Sequence, residues 1–238
     1  MGEKMGPVLQ LPYHEALSRE RDMVAEVVHH RDIRWMIWQT PAGIVVPRSH
    51  AHYDKFEPAI ASSKARGWSV FLRDTGGGAV VQGPDVINFS MSFISGPDVG
   101  DRIGSAYRIL CQPLMAMLRS RGIEGAYRAV SGSMCDGAYN VVVANRKLAG
   151  TAQRWKGLGR DHPQEYAVLA HFAMFVNLDL SAAADAINAF YADMGVASGV
   201  QAQTHINWRE IDQPPRENLL HALTDELNAH CRRLRGRR

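Results

Sequence analysis

The chain has 238 residues, 46% of them hydrophobic and 21% charged, the balance of a globular protein with a sizeable core. Its formal net charge of +3 is too small to argue for a nucleic-acid partner. Much of that excess sits in the tail Arg232-Arg233-Leu234-Arg235-Gly236-Arg237-Arg238, which reads as a frayed, solvated end, with contact to an acidic partner as the minor alternative. Three cysteines without metal-type spacing argue against a disulfide framework and a zinc site. With no apolar signal core and no run of transmembrane length, the expected location is a reducing cytoplasm, away from membranes.

Apolar spacing predicts a first helix over 14–28, then strands over 33–39 and 43–46 joined in a hairpin by Thr40-Pro41-Ala42. A second helix over 53–66 is expected to end at Gly67, and a strand over 68–72 feeds the segment Arg73-Asp74-Thr75-Gly76-Gly77-Gly78-Ala79-Val80-Val81. Gly76, Gly77 and Gly78 can take positive φ and expose backbone N–H groups to a ligand oxygen; the bland reading is a flexible turn. The next strand, 86–93, puts Asn88 and Ser90 on one face. The longest helical pattern, 100–121, is expected to kink at Pro113, with Cys111 as a core thiol. A strand over 123–130 and a short lead-in over 131–134 bring the chain to Cys135.

Residues 135–154 organise the rest. Tyr139 to Val143 is a β-branched strand, Asn145-Arg146 a tight turn, and Lys147 to Ala152 a second strand whose small residues (Gly150, Thr151, Ala152) admit a close ligand or backbone. Such a hairpin would bring Lys147 and Cys135 to one cavity; the alternative is a surface hairpin with a solvated lysine and a buried, inert thiol. Residues 155–163 read as a loop able to close over a site. An apolar strand follows over 166–176, whose His171 reads as either a wall residue or a base. Helices over 181–194, capped by Ser181, and over 215–234 complete the chain. Elements mix without strict βαβ alternation, so the expected class is α+β with a largely antiparallel sheet, in a single domain over 1–238. The remaining histidines show no ligand spacing, GxxxxGK[ST] is absent, and no general base stands out.

The pair "RDTGGGAVV…NFS" and "NRKLAGTAQR" resembles the paired signature of the biotin/lipoate protein ligase superfamily on its lipoate side, RRxSGGGAV…NxS and GxKIxGxAQR, over roughly residues 35–179. The resemblance implies a class II-synthetase-like sheet flanked by helices. It also implies an acyl site lined by Arg73, Gly76, Gly77, Gly78, Ala79, Asn88, Gly150, Thr151, Ala152 and His171. The biotin-type GRGRxGR loop is missing.

Within that superfamily the A-type ligases, which form an acyl-adenylate, carry GRND where this chain reads Ala138-Tyr139-Asn140, and a C-terminal accessory domain that is not expected here. The B-type octanoyltransferases have CxxHG, with Val168 at the cysteine position and Phe172 at the glycine. Cys135-Asp136-Gly137-Ala138-Tyr139-Asn140-Val141 is similar instead to the octanoyl amidotransferases that carry a cysteine before the lysine hairpin. The expectation is an acyltransferase of protein lipoylation. Octanoate or lipoate is the transferred group, Cys135 the nucleophile and Lys147 the cation holding the acyl oxygen. A lipoyl-domain protein is the acceptor, an acyl-carrier or octanoylated protein the donor, and no metal takes part. Lys147 would favour the Cys135 thiolate and Asp136 oppose it. An ATP- and Mg-dependent lipoate–protein ligase and a non-catalytic lipoyl-binding protein remain as alternatives.

Overall fold

The computed structural model describes residues 8–96, 100–212 and 216–236. In chain order the elements are β1 (Leu9–Gln10), α1 (Tyr13–His30), β2 (Arg34–Gln39), β3 (Gly43–Pro47), α2 (Phe56–Ala65), β4 (Val70–Arg73), β5 (Val80–Gln82) and β6 (Val86–Ser95). There follow α3 (Arg102–Ser120), β7 (Gly125–Tyr127), β8 (Val141–Val143), β9 (Arg146–Gly157), β10 (Tyr166–Phe175), α4 (Leu180–Asp193), α5 (Trp208–Ile211) and α6 (Arg216–Arg235). The expected α+β class holds, but the strands form two sheets. Seven run in the order β1-β2-β6-β10-β9-β8-β7, antiparallel except β1 with β2; three run β4-β3-β5, with β3 parallel to β4.

The largest core cluster lies between the seven-stranded sheet, α3 and α6. Leu110, Leu114, Met117 and Leu118 follow the i, i+4, i+7, i+8 spacing of one helix face and are all buried. Each contributes about 2 kcal/mol gross by leaving water. α3 continues as one helix through Pro113, the position where a kink is expected. Proline has no N–H for the Ile109 carbonyl one turn back, and His230 of α6 donates from Nε2 to that oxygen at 2.8 Å. A second cluster joins the small sheet to α2 and α4 through Val46, Phe56, Ile187 and Phe190. In a third, Leu17 and Met23 of α1 pack on Met36, Trp38 and Val45.

Several expectations need correction. The strands over 33–39 and 43–46 do not form a hairpin, because β2 belongs to the large sheet and β3 to the small one; residues 40–42 carry the chain between them. The tight turn is Ala144-Asn145, both at positive φ (48° and 63°), one residue earlier than expected, and Arg146 already pairs with Val143. β9 continues to Gly157, held by β10, so the loop begins at Leu158. The strand expected over 123–130 shortens to β7. Asp179, not Ser181, caps α4, its carboxylate accepting from the Ala182 N–H at 2.9 Å. The basic tail is not frayed through Arg235. Helix α6 reaches that residue, whose guanidinium lies over the Trp35 ring and bonds Asp32 at 3.0 Å. Pro215 and the final Arg237-Arg238 lie outside the described residues. No described helix is long and apolar enough to cross a membrane.

Candidate active site

Two loops meet at the site. Arg73, at the end of β4, is buried, and its guanidinium works as a template for the glycine segment. Nη2 donates to the carbonyls of Gly76 (2.9 Å) and Gly78 (2.8 Å), and Nε to that of Thr75 (3.4 Å). The same Nη2 lies 3.5 Å from Cys135 Sγ, which also accepts from the Gly78 N–H at 3.1 Å. Among the described residues these bonds of Arg73 go to three carbonyls and a sulfur, none to a carboxylate. A buried cation of that kind favours negative charge next to it. Asp74, the neighbouring acid, turns outward to Arg48 (2.6 Å), Arg21 (3.4 Å) and Arg154 (3.5 Å).

Cys135 sits at φ +50°, a left-handed conformation that costs a non-glycine residue about 1–2 kcal/mol. The peptide groups around it are pinned. Lys147, fully buried on β9, donates from Nζ to the Met134 carbonyl and, at 2.9 Å, to that of Cys135. The Met134 N–H donates to His205 Nε2 at 2.9 Å, while His205 Nδ1 lies 3.0 Å from the Gln201 carbonyl. This pattern requires a neutral His205. Burial, assisted by the charge of Lys147, pushes its pKa down to about 4. Burial likewise pushes the Lys147 ammonium down to about 8. The Asp136 carboxylate accepts from the Val130 N–H at 2.5 Å.

Behind Cys135 a narrow cleft runs between the two sheets. Its apolar wall is Tyr13, Trp38, Val45, Val80, Phe172 and Phe175; Arg73, Asn88, Cys135, Lys147 and His171 are its polar groups. Gly150, Thr151 and Ala152 also line it, and a Cβ at Gly150 would stand 3.0 Å from Lys147 Cε. The structure therefore brings most of the expected site residues to one cleft. The glycine segment packs against the sulfur rather than forming the wall. Gly77 alone of the three takes positive φ (+108°), and a Cβ there would collide with Cys135 Sγ. Gly76 faces open space. The cation at the sulfur is Arg73, because Lys147 is engaged by the two carbonyls.

Four participants escaped the sequence reading. Tyr191 of α4 accepts the Ala79 N–H at 2.8 Å, and its hydroxyl lies 3.1 Å from His50 Nε2. His205 reaches the site from 58 residues past Lys147, and nothing local announces it. Glu20 did carry a signal, as the one acid on the apolar stripe Ala16, Leu17, Met23, Val27 of α1. Its carboxylate is bonded by His171 Nδ1 at 2.9 Å and by the Ser90 hydroxyl at 2.7 Å. Among the described residues no group of three or more His, Cys, Asp or Glu is arranged to hold a metal ion.

A profile of the lipoyl protein ligase A/B catalytic domain matches residues 12–210. An uncharacterized protein of Cupriavidus necator is 36% identical over 164 residues, covering 64% of this chain and 65% of the relative. An octanoyl-[GcvH]:protein N-octanoyltransferase of Kyrpidia tusciae is 35% identical over 182 residues, covering 74% of this chain and 62% of the relative. The chain thus spans just under two thirds of the length of these two relatives. A crystal structure of lipoate-protein ligase A bound with ATP superposes with a TM-score of 0.65 at 18% identity, over 94% of this chain and 83% of that one, a likeness of fold.

Proposed function

Since the chain belongs to the lipoyl protein ligase A/B catalytic-domain family, we propose that it is an acyltransferase of protein lipoylation. In this reading it carries an octanoyl or lipoyl group as a thioester on Cys135 and delivers it to a lysine of a lipoyl domain. The observation that carries the reading is the setting of Cys135. Its sulfur, on a residue held at φ +50°, meets the Gly78 N–H and the Arg73 guanidinium at the mouth of an apolar cleft. Both groups are donors that stabilise charge on sulfur, as an attacking thiolate and again as a leaving group.

In the first half-reaction the sulfur attacks the donor's acyl carbon. The bond from that carbon to the donor breaks, and the thiol proton leaves with the donor. In the second, the acceptor amine attacks the thioester carbon, the C–N bond forms, and the C–S electron pair returns to sulfur. The chain of the acyl group lies along the apolar wall, where each buried CH₂ contributes about 0.8 kcal/mol. An ammonium has three protons. Lys147 donates two to the Met134 and Cys135 carbonyls, and the third is available to the acyl oxygen in the cleft.

The test is intact-protein mass spectrometry on wild type and Cys135→Ala after incubation with octanoyl-[GcvH], the donor in the name of the Kyrpidia relative. The expected result is a hydroxylamine-labile octanoyl adduct on wild type alone, which disappears when a lipoyl domain is added. Cys135→Ala modifying a lipoyl domain at the full wild-type rate, with ATP and free octanoate, would overturn the thiol route.

A further inference from the structure

The pair formed by Glu20 and His171 has no task in the steps above, and its placement is specific. Glu20 is 3% exposed, on an otherwise apolar helix face. Burying a carboxylate is expensive unless its oxygens are bonded. Here one oxygen accepts from both the Ser90 hydroxyl (2.7 Å) and His171 Nδ1 (2.9 Å), and Ser90 Oγ in turn accepts from Trp38 Nε1 at 3.0 Å. An ionised carboxylate only accepts, so His171 Nδ1 carries the hydrogen and the lone pair of the neutral ring is on Nε2. Among the described residues Nε2 has a single, long hydrogen-bond contact, to Thr75 Oγ1 at 3.3 Å, a hydroxyl free to rotate. His171 lines the same cleft as Cys135 and Lys147.

We infer that Glu20 and His171 form a carboxylate–imidazole pair in which His171 Nε2 is the base that takes the proton of the incoming lysine amine. The inference rests on the acyl-transfer reading. A lysine reaches the enzyme as an ammonium and loses one proton to water on entering the cleft as a free amine. As its nitrogen bonds to the acyl carbon and the C–S bond breaks, the second proton passes to His171 Nε2 and the electron pair stays on sulfur. The imidazolium, held by the Glu20 carboxylate, then returns that proton to the thiolate or to water. Lys147 is poorly suited to this task because its bonds to two carbonyls call on it as a donor. Around His171 stand Thr75 beyond β4, Ser90 and Ala152 as its register partners on β6 and β9, and Tyr13, Arg73, Cys135 and Lys147 in the cleft.

The test compares two reactions of the same octanoyl-loaded enzyme from pH 6 to 9, for wild type, His171→Asn and Glu20→Gln. One is amide formation on a lipoyl domain. The other is cleavage by hydroxylamine, which is uncharged at neutral pH and is not dependent on a base. General-base catalysis is worth about 10²–10⁴-fold. Amide formation should fall about a hundredfold or more in His171→Asn and at least tenfold in Glu20→Gln. Hydroxylamine cleavage should keep its wild-type rate. Equal losses in both reactions would reduce the pair to a clamp between α1 and β10, and wild-type amide formation in both variants would also overturn the inference. Should His171→Asn fail to fold, Glu20→Gln decides alone. If wild type never accumulates a thioester, the relay is what fails, and the rates of amide formation by wild type and His171→Asn from any other activated acyl group still decide on His171.

Discussion

Replacing Lys147 with methionine should separate the charge of this side chain from its bulk. The ammonium is fully buried, and burial pushes it from 10.5 down to about 8; Cys135 and Asp136 pull back upward, and Arg73 adds to the depression. Below about 8 both folded and unfolded chains hold the proton, and the folded state bears the full cost of the charge. Between about 8 and 10.5 only the unfolded chain holds it, so stability rises with pH. At about 1.4 kcal/mol per pH unit that interval is worth about 3 kcal/mol, of which about 2 kcal/mol falls between pH 7 and 9.5. Methionine fills the space without titrating. It orphans the Met134 and Cys135 carbonyls, at about 1–3 kcal/mol each, and recovers the cost of the charge, so the fold should survive at pH 7. Acyl transfer should fall at least tenfold. Urea unfolding of both proteins at pH 7 and 9.5 gives the difference in stability, in which titrations common to both cancel. Wild type should gain about 2 kcal/mol on the variant over that range. Parallel stability curves would refute the buried-charge argument, and near wild-type transfer by Lys147→Met would refute the role of the ammonium.

Two further outcomes follow from the glycine segment. Gly77→Ala should cost well over tenfold in thioester formation and lower the melting temperature, because its Cβ meets Cys135 Sγ at a backbone of φ +108°, whereas Gly76→Ala, with open space around it, should leave both close to wild type. Tyr191→Phe removes the acceptor of the Ala79 N–H and should destabilise the fold by about 1 kcal/mol, measured by thermal unfolding, while slowing acylation of Cys135.

What the sequence made legible is what depends on neighbours along the chain. The alternation of β6, the apolar run of β10, the apolar stripe of α3 and the small residues of β9 follow from period and composition, and each proved to be the element expected. Errors arose where a contact between distant segments decides. Residues 40–42 carry a turn signature, yet β3 pairs with β4 and β5 instead of β2, since Val46 packs with Ile187 and Phe190 of α4. Pro113 lacks an N–H, and the carbonyl it leaves free is bonded by a histidine 117 residues later, which no local pattern announces. The site divides the same way. Cys135, Lys147 and the glycines are marked by local motifs, whereas His205, Tyr191 and His50 are ordinary residues until folding brings them to the site.

The glycine segment shows how local and distant information combine. Its sequence announces backbone N–H groups aimed at a ligand, without saying which ligand. In the folded chain two consecutive donors are already engaged, Gly78 by Cys135 Sγ and Ala79 by the Tyr191 hydroxyl. A nucleotide phosphate bound at those donors would have to displace a sulfur and a phenol, and Tyr191 is kept protonated by burial, its pKa raised. A thioester asks for no such exchange, because the acyl group then hangs on an atom the segment already holds. Arg73 weighs the same way. Its carbonyl bonds fold the segment into shape, and its one contact able to carry negative charge is the sulfur. In the proposed thioester route the residue that builds the loop would therefore also stabilise the leaving thiolate. That coupling favours Cys135 over an adenylate as the carrier of the acyl group.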